Sequence, residues 1–196
     1  APQDLKALQL ARLRATVAQA LAAPFYARRL GSLGLGPDSV ASLDDLRRLP
    51  FTTKEDLRTG FPYEFLAVPL DDVVRLHASS GTTGQSTAVY HTQADVDTWS
   101  DLVARCLYMS GARRADVFQN LTGYGLFTGG LGLHYGAERL GCMVIPSGAG
   151  NSRRQVGLMR SFGTTVLHVI PSYALRILET FQAQGLLIGM GGIGKV

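Results

Sequence analysis

The chain has 196 residues, 46% hydrophobic and 17% charged, and a formal charge of +4, enough apolar sequence to bury a sizeable core as one domain or a large piece of one. No apolar run approaches the ~20 residues that cross a bilayer, and the opening residues carry no charged-then-apolar leader. The arginine doublets at 28–29, 47–48, 113–114 and 153–154 alternate with acids rather than gathering into a nucleic-acid stripe.

Cys106 and Cys142 lack the spacing of a disulfide framework or a zinc site, so no metal site is expected and a reducing cytoplasm is the expected location. Residues 1–70 read as a helical region, 71–185 as an α/β subdomain and 186–196 as a divergent or truncated tail.

In chain order, Leu5, Leu8, Leu13, Val17 and Leu21 recur at helical spacing and predict an amphipathic helix that stops before Pro24. Thr53 with Asp56 three residues on predicts a capping box. Val73, Val74 and Leu76, then Ala88, Val89 and Tyr90, predict two strands flanking a polar loop. Thr92 reads as the N-cap of a helix whose buried face holds Val96, Trp99, Val103, Cys106 and Leu107, and which Gly111 terminates.

Beyond it, strand and helix signals alternate: strands at 117–118, 143–145 and 166–170, helices at 129–140, 153–162 and 173–182. Such alternation predicts an α/β fold, a layered sheet with helices on its faces and parallel crossovers.

The loop between the first two strands packs six hydroxyl residues and two glycines into positions 79–87. Glycine lets a backbone approach a ligand closely, and short hydroxyls with backbone N–H groups donate to phosphate oxygens. The same composition suits a flexible hairpin loop. It is not the common P-loop, because Gln85 follows Gly84 where that pattern needs lysine.

Five stretches in order resemble the phenylacetate-CoA ligase family of adenylate-forming enzymes. They are Leu-Pro-Phe-Thr-Thr-Lys-Glu-Asp-Leu at 49–57, His-Ala-Ser-Ser-Gly-Thr-Thr-Gly at 77–84, Gly-Tyr-Gly-Leu-Phe-Thr-Gly-Gly at 123–130, His-Tyr-Gly-Ala-Glu-Arg-Leu-Gly at 134–141 and Val-Ile-Pro-Ser-Tyr at 169–173. The resemblance covers about residues 4–185 and implies the N-terminal part of such a ligase. It implies ATP, Mg2+, coenzyme A and an aryl acid as small-molecule partners, with neither nucleic acid nor membrane involved and a homodimer left open.

By that resemblance Ser79, Ser80, Gly81, Thr82, Thr83 and Gly84 hold the β- and γ-phosphates. Family members commonly follow the second glycine with Lys-Pro, where this chain has Gln85 and Ser86. Tyr124 and Phe127 are expected to line the pocket for the aryl group, with ordinary core packing as the alternative. Tyr173 is expected near the acid and nucleotide pocket, and Ser172 reads equally as a helix cap. His134 is a lone histidine on a small-residue helix, and His77, His91 and His168 read as structural, without pairing to one another or to a carboxylate.

Gly189 to Lys195 matches G-x-G-x-x-G and the first seven positions of a Walker A loop, but valine follows where Ser or Thr is needed. Two alternatives remain open at this level: a nucleotide-binding domain without catalysis, and a P-loop NTPase fragment resting on Lys195.

Overall fold

The computed structural model describes residues 2–79 and 86–185. It divides into two compact units, residues 1–92 and 93–196. Among the described residues, no helix is long and apolar enough to cross a membrane.

In the first unit, α1 (Pro2–Ala20) stops short of Pro24, and α2 (Pro24–Gly31) begins on it, because proline lacks the N–H a helix interior needs but fits the first turn. The stripe expected on α1 packs mainly toward its C-terminal half. Val17 is buried with Leu30, Leu35 and Val40 and flanked by Leu10, Leu13 and Leu21, whereas Leu5 and Leu8 are exposed.

The expected capping box opens α3 (Lys54–Thr59). The Asp56 N–H donates to the Thr53 hydroxyl at 3.1 Å, and the Thr53 N–H donates to the Asp56 carboxylate at 2.7 Å. That backbone donor, first among several, holds the Asp56 carboxyl below its ordinary range.

β1 (Val73–Ala78) and β2 (Ala88–Thr92) form an antiparallel hairpin in which Ala78 faces Ala88. β2 is tied down by Tyr90, whose hydroxyl donates to the Pro62 carbonyl at 2.7 Å.

The second unit is the layered sheet. α4 (Gln93–Met109) gives way at Gly111, which sits at φ 96°. Then follow β3 (Val117–Asn120), α5 (Gly129–Leu140), β4 (Met143–Ile145), α6 (Ser152–Phe162), β5 (Val166–His168) and α7 (Pro171–Ala183). The strands run parallel in the order β4-β3-β5, each joined to the next by a helical crossover.

Residue alternation along these strands assigns the two faces. Phe118 and Val166 pack with Ala137 of α5, while Leu121 and Leu167 pack with Val156 and Met159 of α6 and Ile177 and Phe181 of α7. A side chain at Gly136 would reach to 2.2 Å from Val103 of α4, so the small residues of α5 let the two helices approach closely. In α4 the expected apolar face buries Val96 and leaves Cys106 exposed; Ala104 takes the inner place.

Candidate functional site

Two places carry the predicted chemistry, one in each unit. In the first unit, Ser79 and Thr87 close the neck of the β1–β2 hairpin. The Ser79 N–H donates to the Thr87 carbonyl at 3.0 Å, and the Thr87 N–H and hydroxyl both donate to the Ser79 hydroxyl at 3.1 Å. The neck therefore brings both ends of the polar loop together. Ser80, Gly81, Thr82, Thr83 and Gly84 lie outside the described residues, as do Gln85 and the Gly189 to Lys195 segment.

His77 and His91, read from sequence as unrelated, meet across this hairpin with ring centroids 5.4 Å apart. Same-face diagonal neighbours in an antiparallel pair are this close, a relation that linear spacing does not display.

In the second unit the polar groups gather where the parallel strands end, the edge at which open α/β sheets bind ligands. Asn120, the last residue of β3, is fully buried. Its amide donates to the Gly130 carbonyl at 2.8 Å, and its side-chain oxygen accepts from the Thr122 N–H at 3.1 Å and the Thr122 hydroxyl at 2.8 Å. His168 Nδ1, at the end of β5, lies 3.0 Å from the same oxygen. An amide oxygen only accepts, so Nδ1 carries the proton and donates. Burial pushes the His168 imidazole down, toward its neutral form.

The Asn120 carbonyl accepts in turn from the Gly148 N–H and the Ser147 hydroxyl, each at 3.0 Å. Beside it, the Gln119 amide donates to the Gln155 side-chain oxygen at 2.9 Å and accepts from the Thr164 hydroxyl at 2.7 Å. Gln155 donates to the Gly148 and Gly150 carbonyls at 2.8 and 3.1 Å. This second network, on the opposite face of the sheet, pins the turn between β4 and α6.

Tyr124 stands above this edge on the turn after β3. Its hydroxyl lies 3.2 Å from His134 Nδ1, with the two rings edge to face at 5.7 Å. His134 Nε2 is 3.1 Å from the Glu138 carboxylate. Burial pushes the Tyr124 phenol up; the neighbouring Asn120 amide works against that and the charge of Glu138 adds to it. His134 is therefore not the isolated histidine that the sequence suggested: Tyr124 and Glu138 flank it.

Phe127 is 71% exposed, so it is not packed into the core of the described residues. Tyr173, in the first turn of α7, accepts a long hydrogen bond from the Ser152 hydroxyl at 3.4 Å and lines a cleft with Asn151, Arg153 and Arg176. That cleft's lining includes neither Tyr124 nor Phe127. Ser172 does not cap α7, because Ile170 holds the N-cap position and no side chain bonds there.

Asn120, Gln119 and Gln155 were missed by the sequence reading. The available signal was two amide residues closing an apolar strand, a position where Asn is disfavoured unless its polar groups are engaged.

No protein-family model matches the chain. Over 183 residues it is 48% identical to a phenylacetate-coenzyme A ligase of Pseudomonas putida, an alignment that covers 93% of this chain and 42% of that protein. A phenylacetate-coenzyme A ligase of Escherichia coli is 47% identical over 182 residues, covering 92% and 42%. Among solved structures, 2-hydroxyisobutyryl-CoA ligase in complex with its acyl-AMP and CoA superposes with a TM-score of 0.87 at 30% identity, over 98% of this chain and 42% of that one. The chain thus spans 42% of the length of the relatives it matches, and the layered fold it adopts is that of the adenylate-forming ligases.

Proposed function

We propose that this chain, a homologue of phenylacetate-CoA ligases, serves as the N-terminal part of an ATP-dependent ligase that converts an aryl acid of the phenylacetate type to its CoA thioester. The observation that carries the reading is 48% identity to such a ligase along 93% of the chain. The likeness to a ligase structure holding both an acyl-AMP and CoA supports it.

In that chemistry the acid's carboxylate oxygen attacks the α-phosphorus of ATP, the bond to the bridging oxygen breaks, and pyrophosphate leaves. The thiolate of CoA then attacks the acyl carbon and AMP departs. The part assigned to Ser79, Ser80, Gly81, Thr82, Thr83 and Gly84 is electrostatic: their N–H and hydroxyl donors hold the β- and γ-phosphates while charge moves onto the leaving group. Gln85, standing where relatives commonly have lysine, leaves that attraction to the backbone and hydroxyl donors. Tyr124 and Phe127 offer aromatic faces to the acid, and Tyr173 borders the turn after β4.

Among the described residues, no group of three or more His, Cys, Asp or Glu is placed to hold a metal ion. In this reading Mg2+ arrives with the triphosphate, neutralising its charge, and the loop donors contact the phosphates directly. A cytoplasmic location is part of this reading.

The test is release of AMP and pyrophosphate from ATP, dependent on phenylacetate, by the protein that carries this chain. The reading expects acid-dependent release and a CoA thioester product. It also expects the 196 residues alone to bind ATP without ATP–pyrophosphate exchange, because adenylation needs groups positioned together and the chain spans 42% of its relatives. Exchange by the chain alone at a rate well above buffer would overturn that second expectation.

A further inference from the structure

Gly130, His134 and Glu138 are spaced four residues apart on α5 and so share one face of the helix. Each does something different to the Tyr124 turn. A side chain at Gly130 would stand 2.2 Å from the Gly123 carbonyl, so only glycine lets the turn lie directly on the helix. The Asn120 amide clamps the Gly130 carbonyl from below at 2.8 Å. One turn along, His134 meets the Tyr124 hydroxyl, and a further turn along Glu138 meets His134 from the far side.

We propose that Glu138 and His134 are positioning residues that lock the Tyr124 hydroxyl inward, so that the site offers an acid the ring of Tyr124 and not its hydroxyl. Hydrogen-bond polarity fixes the arrangement. A carboxylate only accepts, so Glu138 places the imidazole proton on Nε2 and leaves Nδ1 as an acceptor. The Tyr124 O–H then has a fixed direction, donating to Nδ1, and its ring is held edge to face against the imidazole. His134 itself is 19% exposed and Glu138 52%, so the carboxylate is hydrated at the helix surface while the imidazole it orients is largely enclosed.

A hydroxyl already engaged in this way is poorly placed to recognise a hydroxylated acid. The ring face, held at low entropic cost, suits an unsubstituted aryl group. The substrate-class statement rests on the aryl-acid reading given above; the relay within the protein does not.

Two measurements separate them. Nitrogen-15 NMR of the chain at neutral pH, with His134→Asn for assignment, should show His134 protonated at Nε2 and bare at Nδ1. Glu138→Ala should mix the tautomers and Tyr124→Phe should not. Protonation at Nδ1, or a tautomer indifferent to Glu138→Ala, overturns the relay.

In the ligase assay, Glu138→Ala should raise KM for phenylacetate roughly five-fold with kcat and the KM for ATP changed less than about two-fold. Glu138→Gln, whose oxygen still accepts, should restore most of it. In the Tyr124→Phe background Glu138→Ala should cost nothing more, because the hydroxyl it serves is gone. Additive effects, or an equal rise in the KM for ATP, contradict a positioning role. An Nε2–H tautomer in a protein that shows no aryl-acid dependence would leave the relay standing and remove the substrate assignment.

Discussion

The hairpin neck and the end of the parallel sheet are both rich in polar groups, yet they are built in opposite ways. At the neck, Ser79 and Thr87 are eight residues apart, and their mutual bonds are exposed. At the sheet end, Asn120 and His168 are 48 residues apart, and Asn120 is fully buried. A buried amide without its partners carries the whole penalty of desolvation, whereas an exposed hydroxyl exchanges one partner for water. The sheet end is thus bound up with the stability of the unit, and the neck is free to be spent on a ligand.

That contrast is broken most directly at Asn120. Asn120→Leu strands the Thr122 N–H, the Gly130 carbonyl and His168 Nδ1 together, and should destabilise the second unit by about 3 kcal/mol. Chemical denaturation followed by circular dichroism reads this, and a loss under about 1 kcal/mol would mean that the cluster is not structural.

Gly130→Ala comes next, at about 2 kcal/mol, because the added methyl meets backbone rather than a side chain that can turn away. It should also raise the KM for the aryl acid by shifting the Tyr124 turn, whereas Gly136→Ala, which meets the Val103 side chain, should destabilise somewhat less and leave that KM alone.

His168 sharpens the comparison through pH. Burial lowers its folded-state pKa below the ordinary 6.5, so as pH falls below about 6.5 the unfolded chain takes up a proton that the folded chain resists. Stability should therefore decline below pH 6.5, until the folded pKa is reached, and His168→Gln should flatten that part of the profile. Asp56 and Asp45, whose pKa values are lowered, lose their contributions only in more acidic solution, below 3.8.

The smallest stability effect is expected at the neck. Ser79→Ala should cost under about 0.5 kcal/mol of stability, as exposed polar substitutions usually do, and its consequence should appear in ATP affinity instead.

How much of this was legible beforehand follows the same division. The elements of the second unit, the hairpin and the Thr53–Asp56 cap rest on local spacing and turn chemistry, and all were readable from the sequence. So were the five ordered motifs that pointed to the ligase fold. What escaped is non-local. The Asn120 cluster depends on β3 and β5 ending side by side, the His77–His91 contact on strand register, and the His134–Tyr124 pair on Gly130 admitting the turn onto α5. Leu5 and Leu8 of α1 show the converse: periodicity put them on an apolar face, but packing does not cover them in the described chain.

Whether residues 79–84 hold the triphosphate is addressed most directly by calorimetric titration of the chain with ATP and with AMP. The reading predicts that ATP binds more tightly than AMP, because the β- and γ-phosphates carry the contact, and that Thr82→Val with Thr83→Val removes most of the difference without unfolding the chain. Equal affinity for the two nucleotides, unchanged by the loop substitutions, would contradict it.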